Sequence, residues 1–255
     1  MVELKTGREV EAMRAAGKVV ADALAAVRDQ AAVCVRLSEL DQVARDVLAR
    51  AGATSPFLGY QPSFAATPFP AVICTSVNDV ALHGLPGRYR LVDGDLLSVD
   101  CGTTLHGWTG DAAISFIVGH PREADLRLIE TAQDALRAGI AAAVVGAKLG
   151  DITAAIGAVG RAAGYGINTD YGGHGIGRTM HEAPSVPNEG RPGRGRTLKP
   201  GFTIAIEPWF LSGGDDAYRI DSDGWYLRSG DGSRAAHVEH TIAITDDGPL
   251  ILTAV

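Results

Sequence analysis

The chain repeats its own order of elements, and that repetition limits the folds open to it. Thr6 and Glu9 form a capping-box pair, and Val10, Met13, Gly17, Val20, Leu24 and Val27 follow at helical spacing. Ser38 with Asp41 reads as the cap of a second helix, with Gly52 as its stop. Residues 51–70 are irregular and carry the aromatics Phe57, Tyr60, Phe64 and Phe69; strand-like segments follow at 72–77, 95–100 and 112–118. Pro121 marks a break, after which the order restarts. Leu126, Ile129, Gln133, Leu136 and Ile140 predict a long helix, and Asp151 caps another running through Ile156 and Val159 to Gly164. Strands then recur at 203–207 and 238–244. LVDGDLLSVD (91–100) also aligns without gaps on LKPGFTIAIE (198–207), with Leu, Gly, alternating apolar residues and a final carboxylate in step. Chance likeness of common residue types is the competing explanation, but each copy closes a two-helix unit. The expectation is an α+β chain, residues 1–255 as one domain, with similar halves of roughly 1–120 and 121–255 about a pseudo-two-fold axis. Asp100 and Glu207 would converge between the halves.

Composition narrows the function classes. The net charge of −7 offers no basic field for nucleic acid. Cys34, Cys74 and Cys101 are far apart and odd in number, which argues for a reducing compartment and against a disulfide framework or thiolate zinc site. The N-terminus is charged and leads straight into a helix pattern, unlike a signal peptide. The apolar run 138–147 is closed by Arg137 and Lys148 and is too short to span a bilayer. A cytoplasmic monomer with neither membrane nor nucleic acid as partner is expected.

Five residues stand out as possible metal ligands. In SVDCGTTLHGWTGD, a hairpin symmetric about Leu105 and His106 would set Asp100 directly opposite Asp111. Like charges so placed destabilise a sheet unless a cation lies between them; a wider loop holding them apart in solvent fits this stretch equally well. Glu239 in HVEHTIAI faces away from Val238, His240, Ile242 and Ile244 and lies beside the small Thr241 and Ala243. Either it is partnered in the interior, or the strand is an edge with that face in water. Glu207 ends an apolar strand and is kept extended by Pro208. His174 sits in YGGHGIG, as a ligand or as an ordinary loop histidine. Four carboxylates and an imidazole suit borderline divalent ions such as Mn, Fe(II), Co or Zn. The charge is too great for one ion and matches a pair with shared carboxylates. His83 and His181 suit hydrogen-bond or proton work toward a substrate, or are ordinary surface or core histidines.

The motifs NDVALHG, VDCGTTLHGWTGDAA, GGHGIGRTMHEAP, IAIEPW and VEHT, in this order, resemble the type I methionine aminopeptidases of the pita-bread fold, M24-like metallopeptidases. The resemblance runs from LKTGREVEAMRAAG to HVEHTIAIT. It implies a curved antiparallel sheet with helices on its outer face and the site on its inner face. It further implies two divalent ions held by Asp100, Asp111, His174, Glu207 and Glu239, with Asp111 and Glu239 bridging. Glu207, His181 and His83 would be catalytic, His83 and His181 facing the substrate. Tyr60, Phe69, Cys74 and Trp225 would line a methionine pocket, with Met180 adding to its wall. The implied activity is removal of N-terminal methionine from nascent proteins and peptides with a small second residue, with ribosome contact as a further possible partner interaction. The sequence departs from the family in Cys101, where a small aliphatic residue is commoner, in a longer QPSFAATPFP segment, and in having no N-terminal extension. Prolidases and X-Pro aminopeptidases share the ligand set but usually carry an extra N-terminal domain. A peptide-binding relative without catalysis is the remaining alternative, and such relatives usually lose ligands.

Overall fold

In the computed structural model, which describes residues 2–63 and 65–254, the first helix α1 (Gly7–Gln30) starts at the predicted cap. The Glu9 carboxylate accepts the Thr6 backbone N–H at 2.8 Å and its hydroxyl at 2.9 Å. The stripe Val10, Met13, Gly17, Val20, Leu24 and Val27 is buried. Phe64 lies outside the described residues.

The second helix, α2 (Leu37–Ala51), begins earlier than Ser38 and Asp41 suggest, because Glu39 closes the box by accepting the Arg36 N–H at 2.6 Å. Gly52, at φ 66°, ends it as predicted. Asp41 turns inward instead. It accepts the N–H groups of Val72 (2.8 Å) and Ile73 (3.3 Å) and pairs with Arg45 (2.6 Å), tying the helix to the first strand. Asp41→Ala would leave those buried donors unmatched, so it should cost about 2–3 kcal/mol in denaturant unfolding. A loss under about 0.5 kcal/mol would show that water replaces the carboxylate.

The strands are β1 (Ile73–Val77), β2 (Val80–Leu82), β3 (Asp95–Leu105), β4 (Trp108–Val118), β5 (Gly172–Gly175), β6 (Glu182–Pro187) and β7 (Thr203–Ile206). They continue as β8 (Trp209–Leu211), β9 (Tyr218–Ile220), β10 (Leu227–Ser229), β11 (Ala235–His237), β12 (Glu239–Thr245) and β13 (Gly248–Ile251). Between β4 and β5 lie α3 (Glu123–Ala142) and α4 (Leu149–Ala162). The predicted stripe of α3 is rotated: Leu126 is 47% exposed, while Leu128, Ala132 and Ala135 carry the contact with Ile129 and Leu136. Small alanines let this helix sit close, a signal that counting large apolar residues misses. In α4, Asp151 is the third helical residue rather than the cap, and accepts the Lys148 N–H at 2.7 Å.

The main sheet is antiparallel, in the order β1-β3-β4-β12-β7-β5-β6, with β13 also on β12. Leu97, Val99 and Cys101 of β3 join Leu24, Val27, Leu40 and Leu48 of α1 and α2 in one core. Ile204 and Ile206 of β7 and Ile242 and Ile244 of β12 join Leu128, Leu136, Ile152 and Ile156 of α3 and α4 in another. Cys101 thus serves as a small apolar side chain under the helices. The four helices thus pack on one face of the sheet, the α+β arrangement that the resemblance implies. Among the described residues, no helix is long and apolar enough to cross a membrane.

The β3/β4 hairpin turns one residue later than the symmetry about Leu105 and His106 predicts. Leu105 pairs with Trp108, and His106 (φ 51°) with Gly107 (φ 78°) fills a two-residue turn of the primed type. Asp100 therefore faces Ala113, and Asp111 faces Gly102. A one-residue displacement of the turn moves the pairing by two, so both aspartates stay on one face as diagonal neighbours. Asp100 is also within β3 rather than at its end, whereas Glu207 immediately follows β7. The segment match survives in its turns: Gly94 (φ 83°) and Gly201 (φ 84°) precede the two strands.

Candidate metal centre

Ala113 is the hinge of the site's floor. Across three strands, Asp100 pairs with Ala113 and Ala113 with Glu239, so two carboxylates stand on either side of a methyl group. Glu239 begins β12 between β4 and β7, in the interior of the sheet rather than on a solvated edge. Asp111, Glu207 and His174 converge on the same cavity of about 350 Å³. The His174 Nδ1 meets the Gly175 carbonyl at 2.9 Å and must carry the proton. That leaves its Nε2 lone pair facing Glu207 Oε1 at 3.6 Å.

Donor atoms of Asp111, His174 and Glu239 all lie within 4.8 Å of one another, as do those of Glu207, His237 and Glu239. Glu239 belongs to both groups. Asp100 Oδ1, Asp111 Oδ1, Glu239 Oε1 and His237 Nε2 are buried with no hydrogen-bond partner among the described residues. Burial, then mutual repulsion, pushes these acids up: Glu207 to about 8, and Asp111 and Glu239 well above their ordinary values. Burial raises Asp100 to about 7. Burial holds His174 near 4, so it is neutral. Orphaned oxygens concentrated beside a neutral imidazole fit divalent cations.

In the metal-free protein, Asp100 and Glu207 have folded pKa values of about 7 and about 8, against roughly 4 in an unfolded chain. The folded state then binds more protons than the unfolded between those limits. Their contribution is full below about pH 4 and is lost as pH rises through 7 to 8. Metal-free protein should melt higher at about pH 6 than at about pH 8.5, and Asp100→Asn with Glu207→Gln should flatten that slope. An unchanged slope in the double variant would place the effect elsewhere.

An apolar pocket adjoins the acids. Phe57, Phe69, Cys74, Met180 and Trp225 pack together, and Cys74 lies opposite Asp100 across β1 and β3. Phe69 meets Trp225 edge-on at 5.0 Å, and Trp225 Nε1 donates to the Thr67 carbonyl at 3.0 Å. Tyr60, 38% exposed, is at the rim with its ring 5.5 Å from His181. His83 meets Trp225 at 6.4 Å on one side and Tyr171 at 5.5 Å on the other. Burial keeps His83 near 4 and lowers His181, so both are neutral at pH 7.

All twelve residues singled out in the sequence, Met180 included, line this one cavity. Sequence reasoning missed Phe57, which no motif marks, Tyr171, which opens YGGHGIG three residues before His174, and His237. The His237 ring nitrogen Nε2 is 3.7 Å from Glu207 and 3.8 Å from Glu239. Ser98 and Ser115 hydroxyls accept its backbone N–H, and its carbonyl accepts the Ser115 hydroxyl. Its spacing from Glu239, two residues along extended chain, was the available signal.

A curled sheet carrying this donor set on its inner face, beside an apolar pocket, defines a class: a metal-dependent hydrolase. Residues 11–246 match metallopeptidase family M24. Methionine aminopeptidase 1 of Mycobacterium tuberculosis is 48% identical over 260 residues, covering 99% of this chain and 95% of that protein. The crystal structure of methionine aminopeptidase from Thermotoga maritima matches with a TM-score of 0.94 at 37% identity, covering 100% of both chains. The chain belongs to metallopeptidase family M24, among the methionine aminopeptidases. A prolidase from Pyrococcus furiosus (TM-score 0.77, 22% identity) shares the fold alone, and the match covers 99% of this chain but 65% of that one.

Proposed function

We propose that this chain removes the N-terminal methionine from polypeptides and peptides whose second residue is small. The observation that carries this reading is the apolar pocket of Phe57, Phe69, Cys74, Met180 and Trp225, which opens directly onto the carboxylates. Asp100, Asp111, His174, Glu207 and Glu239 would hold two divalent ions (Co, Mn, Fe(II) or Zn), with Asp111 and Glu239 shared between them. Bound there, such ions supply Lewis acidity and make water a nucleophile near neutral pH.

The chain's own groups do the rest. Glu207 takes a proton from the attacking water and returns it to the leaving amine. His181, neutral, donates a hydrogen bond to the carbonyl oxygen of the first residue. His83 lies between Trp225 and Tyr171, at the boundary of the pocket, and donates to or accepts from the scissile amide. The Tyr171 ring beyond it limits the room for a second side chain. Residues 1–255 act as one catalytic domain of two similar halves. The three free cysteines support a cytoplasmic setting, where a monomer would meet nascent N-termini at or near the ribosome.

The test is specificity. One methylene in an apolar pocket is worth about 1–3 kcal/mol, so norleucine peptides should be cleaved alongside methionine peptides. A lysine or glutamate in first position would bury an unpaired charge and be rejected. Equal cleavage of Met-Ala and Lys-Ala peptides would rule the pocket out. Preference for X-Pro dipeptides, irrespective of X, would favour the prolidase alternative instead.

A further inference from the structure

We propose that Lys5 is a positioning residue for His181. Its ammonium group, acting through Glu182, holds the loop 177–182 on which His181 stands. The inference rests on the reading of His181 as a hydrogen-bond donor to the substrate.

Lys5 precedes the first helix, in the LKTGREV stretch where the resemblance begins but to which no role was assigned, and its side chain is 0% exposed. A buried ammonium is tolerated only when paired. Lys5 Nζ donates to Glu182 Oε2 at 2.8 Å and more weakly, at 3.4 Å, to the exposed Glu3. The other oxygen of Glu182 accepts the N–H of Arg178 at 2.8 Å and that of Thr179 at 3.4 Å. One carboxylate therefore joins Lys5 to the start of the loop, and Glu182 itself ends it, directly after His181. Lys5 is anchored in turn: its backbone N–H donates to the Gly201 carbonyl at 2.7 Å, in the turn that leads into β7 and Glu207. Its stem passes over Gly177, where a Cβ would collide with it.

The need for such a tie shows on the far side of His181. A second hollow of about 420 Å³, lined by Pro56, Thr104, Thr109, Arg178 and Thr179, shares Tyr60, Met180 and His181 with the reaction cavity. His181 thus stands on a partition with space on both sides. Core side chains keep their place because close packing leaves them nowhere to go; a partition is held at its ends. Thr109 fixes one end by donating to the Gly177 carbonyl at 2.8 Å. The Lys5–Glu182 pair fixes the other.

Lys5→Met keeps an apolar stem and removes the charge. With both metal ions retained and KM for a methionine peptide within about twofold, kcat should fall roughly 10- to 100-fold, as for a donor displaced by about 1 Å. In a His181→Ala background the same substitution should cost nothing further, because residues acting through one group are not additive. Glu182→Gln is the second probe, used also if Lys5→Met does not fold. It keeps an oxygen for the loop N–H groups and weakens the ion pair, so a smaller kcat loss with the same non-additivity is expected. Losses that multiply with His181→Ala, or a rise in KM or loss of metal at unchanged kcat, would overturn the proposal. Wild-type kcat in both Lys5→Met and Glu182→Gln, with His181→Ala impaired, would overturn the positioning role alone. Undiminished turnover in His181→Ala would instead remove the role of His181 on which it rests.

Discussion

Asp111→Ala should lose at least one divalent ion and nearly all turnover, the largest effect of any single substitution here. Asp111 is 4% exposed, its Oδ1 has no hydrogen-bond partner, and its donor atom falls within 4.8 Å of those of His174 and Glu239. In the proposed arrangement Asp111 is shared by two ions, so its removal would weaken both coordination shells. Glu239→Ala should behave alike, since Glu239 belongs to both donor groups. The apo-protein carries a penalty that the variant relieves: removing one of several mutually repelling acids should raise the melting temperature of metal-free Asp111→Ala above that of metal-free wild type. Metal content by elemental analysis and turnover at low added metal would be measured together. Wild-type activity with full metal occupancy would show that Asp111 is not a ligand.

His181→Ala should keep both ions and lose turnover by roughly 100- to 1,000-fold, the usual cost of one donor to a developing oxyanion. The proposed donor role fits the contacts of His181, which are to rings rather than to the grouped donor atoms. Its ring is 4.4 Å from His174 and 5.5 Å from Tyr60, and its donor atoms belong to neither metal-binding group among the described residues. Burial lowers its pKa, so at neutral pH it offers an N–H without a full charge. A metal-free His181→Ala protein would make this histidine a ligand and redraw the division between ligands and donors. His83→Ala should differ by losing substrate binding together with turnover, because His83 contacts the pocket residue Trp225.

Local chemistry was legible wherever a residue's role depends on its near neighbours in the chain. The Thr6–Glu9 box, the Gly52 stop and the alternation around Glu239 all depend on residues within one turn or a few strand positions. The four carboxylates and the imidazole that meet in the cavity were also legible, since each breaks a local pattern: a charge in an apolar strand or a histidine among glycines. Errors arose where two local patterns compete. Ser38–Asp41 and Arg36–Glu39 both resemble helix starts, and a tertiary demand decided between them, because Asp41 was needed to bind the first N–H groups of β1. The hairpin turn was misplaced by one residue because His106 accepts positive φ beside Gly107.

What the sequence determined by itself is therefore the four helices, the five strands β1, β3, β4, β7 and β12, and the acids that have no local reason to exist; the short strands β2, β5, β6, β8, β9, β10, β11 and β13 left no pattern long enough to read. Tertiary structure decided their partners. Ala113 separates Asp100 from Glu239 only because β3, β4 and β12 lie side by side, though β12 is more than a hundred residues distant in the chain. Phe57 joins the pocket through packing that no spacing encodes, and His237 reaches Glu207 through a short strand held by two serine hydroxyls. Lys5 meets Glu182 across 177 positions of sequence. Such contacts arise from burial, which is a property of the assembled sheet and its curl, and a one-dimensional pattern carries periodicity but no record of which faces will meet.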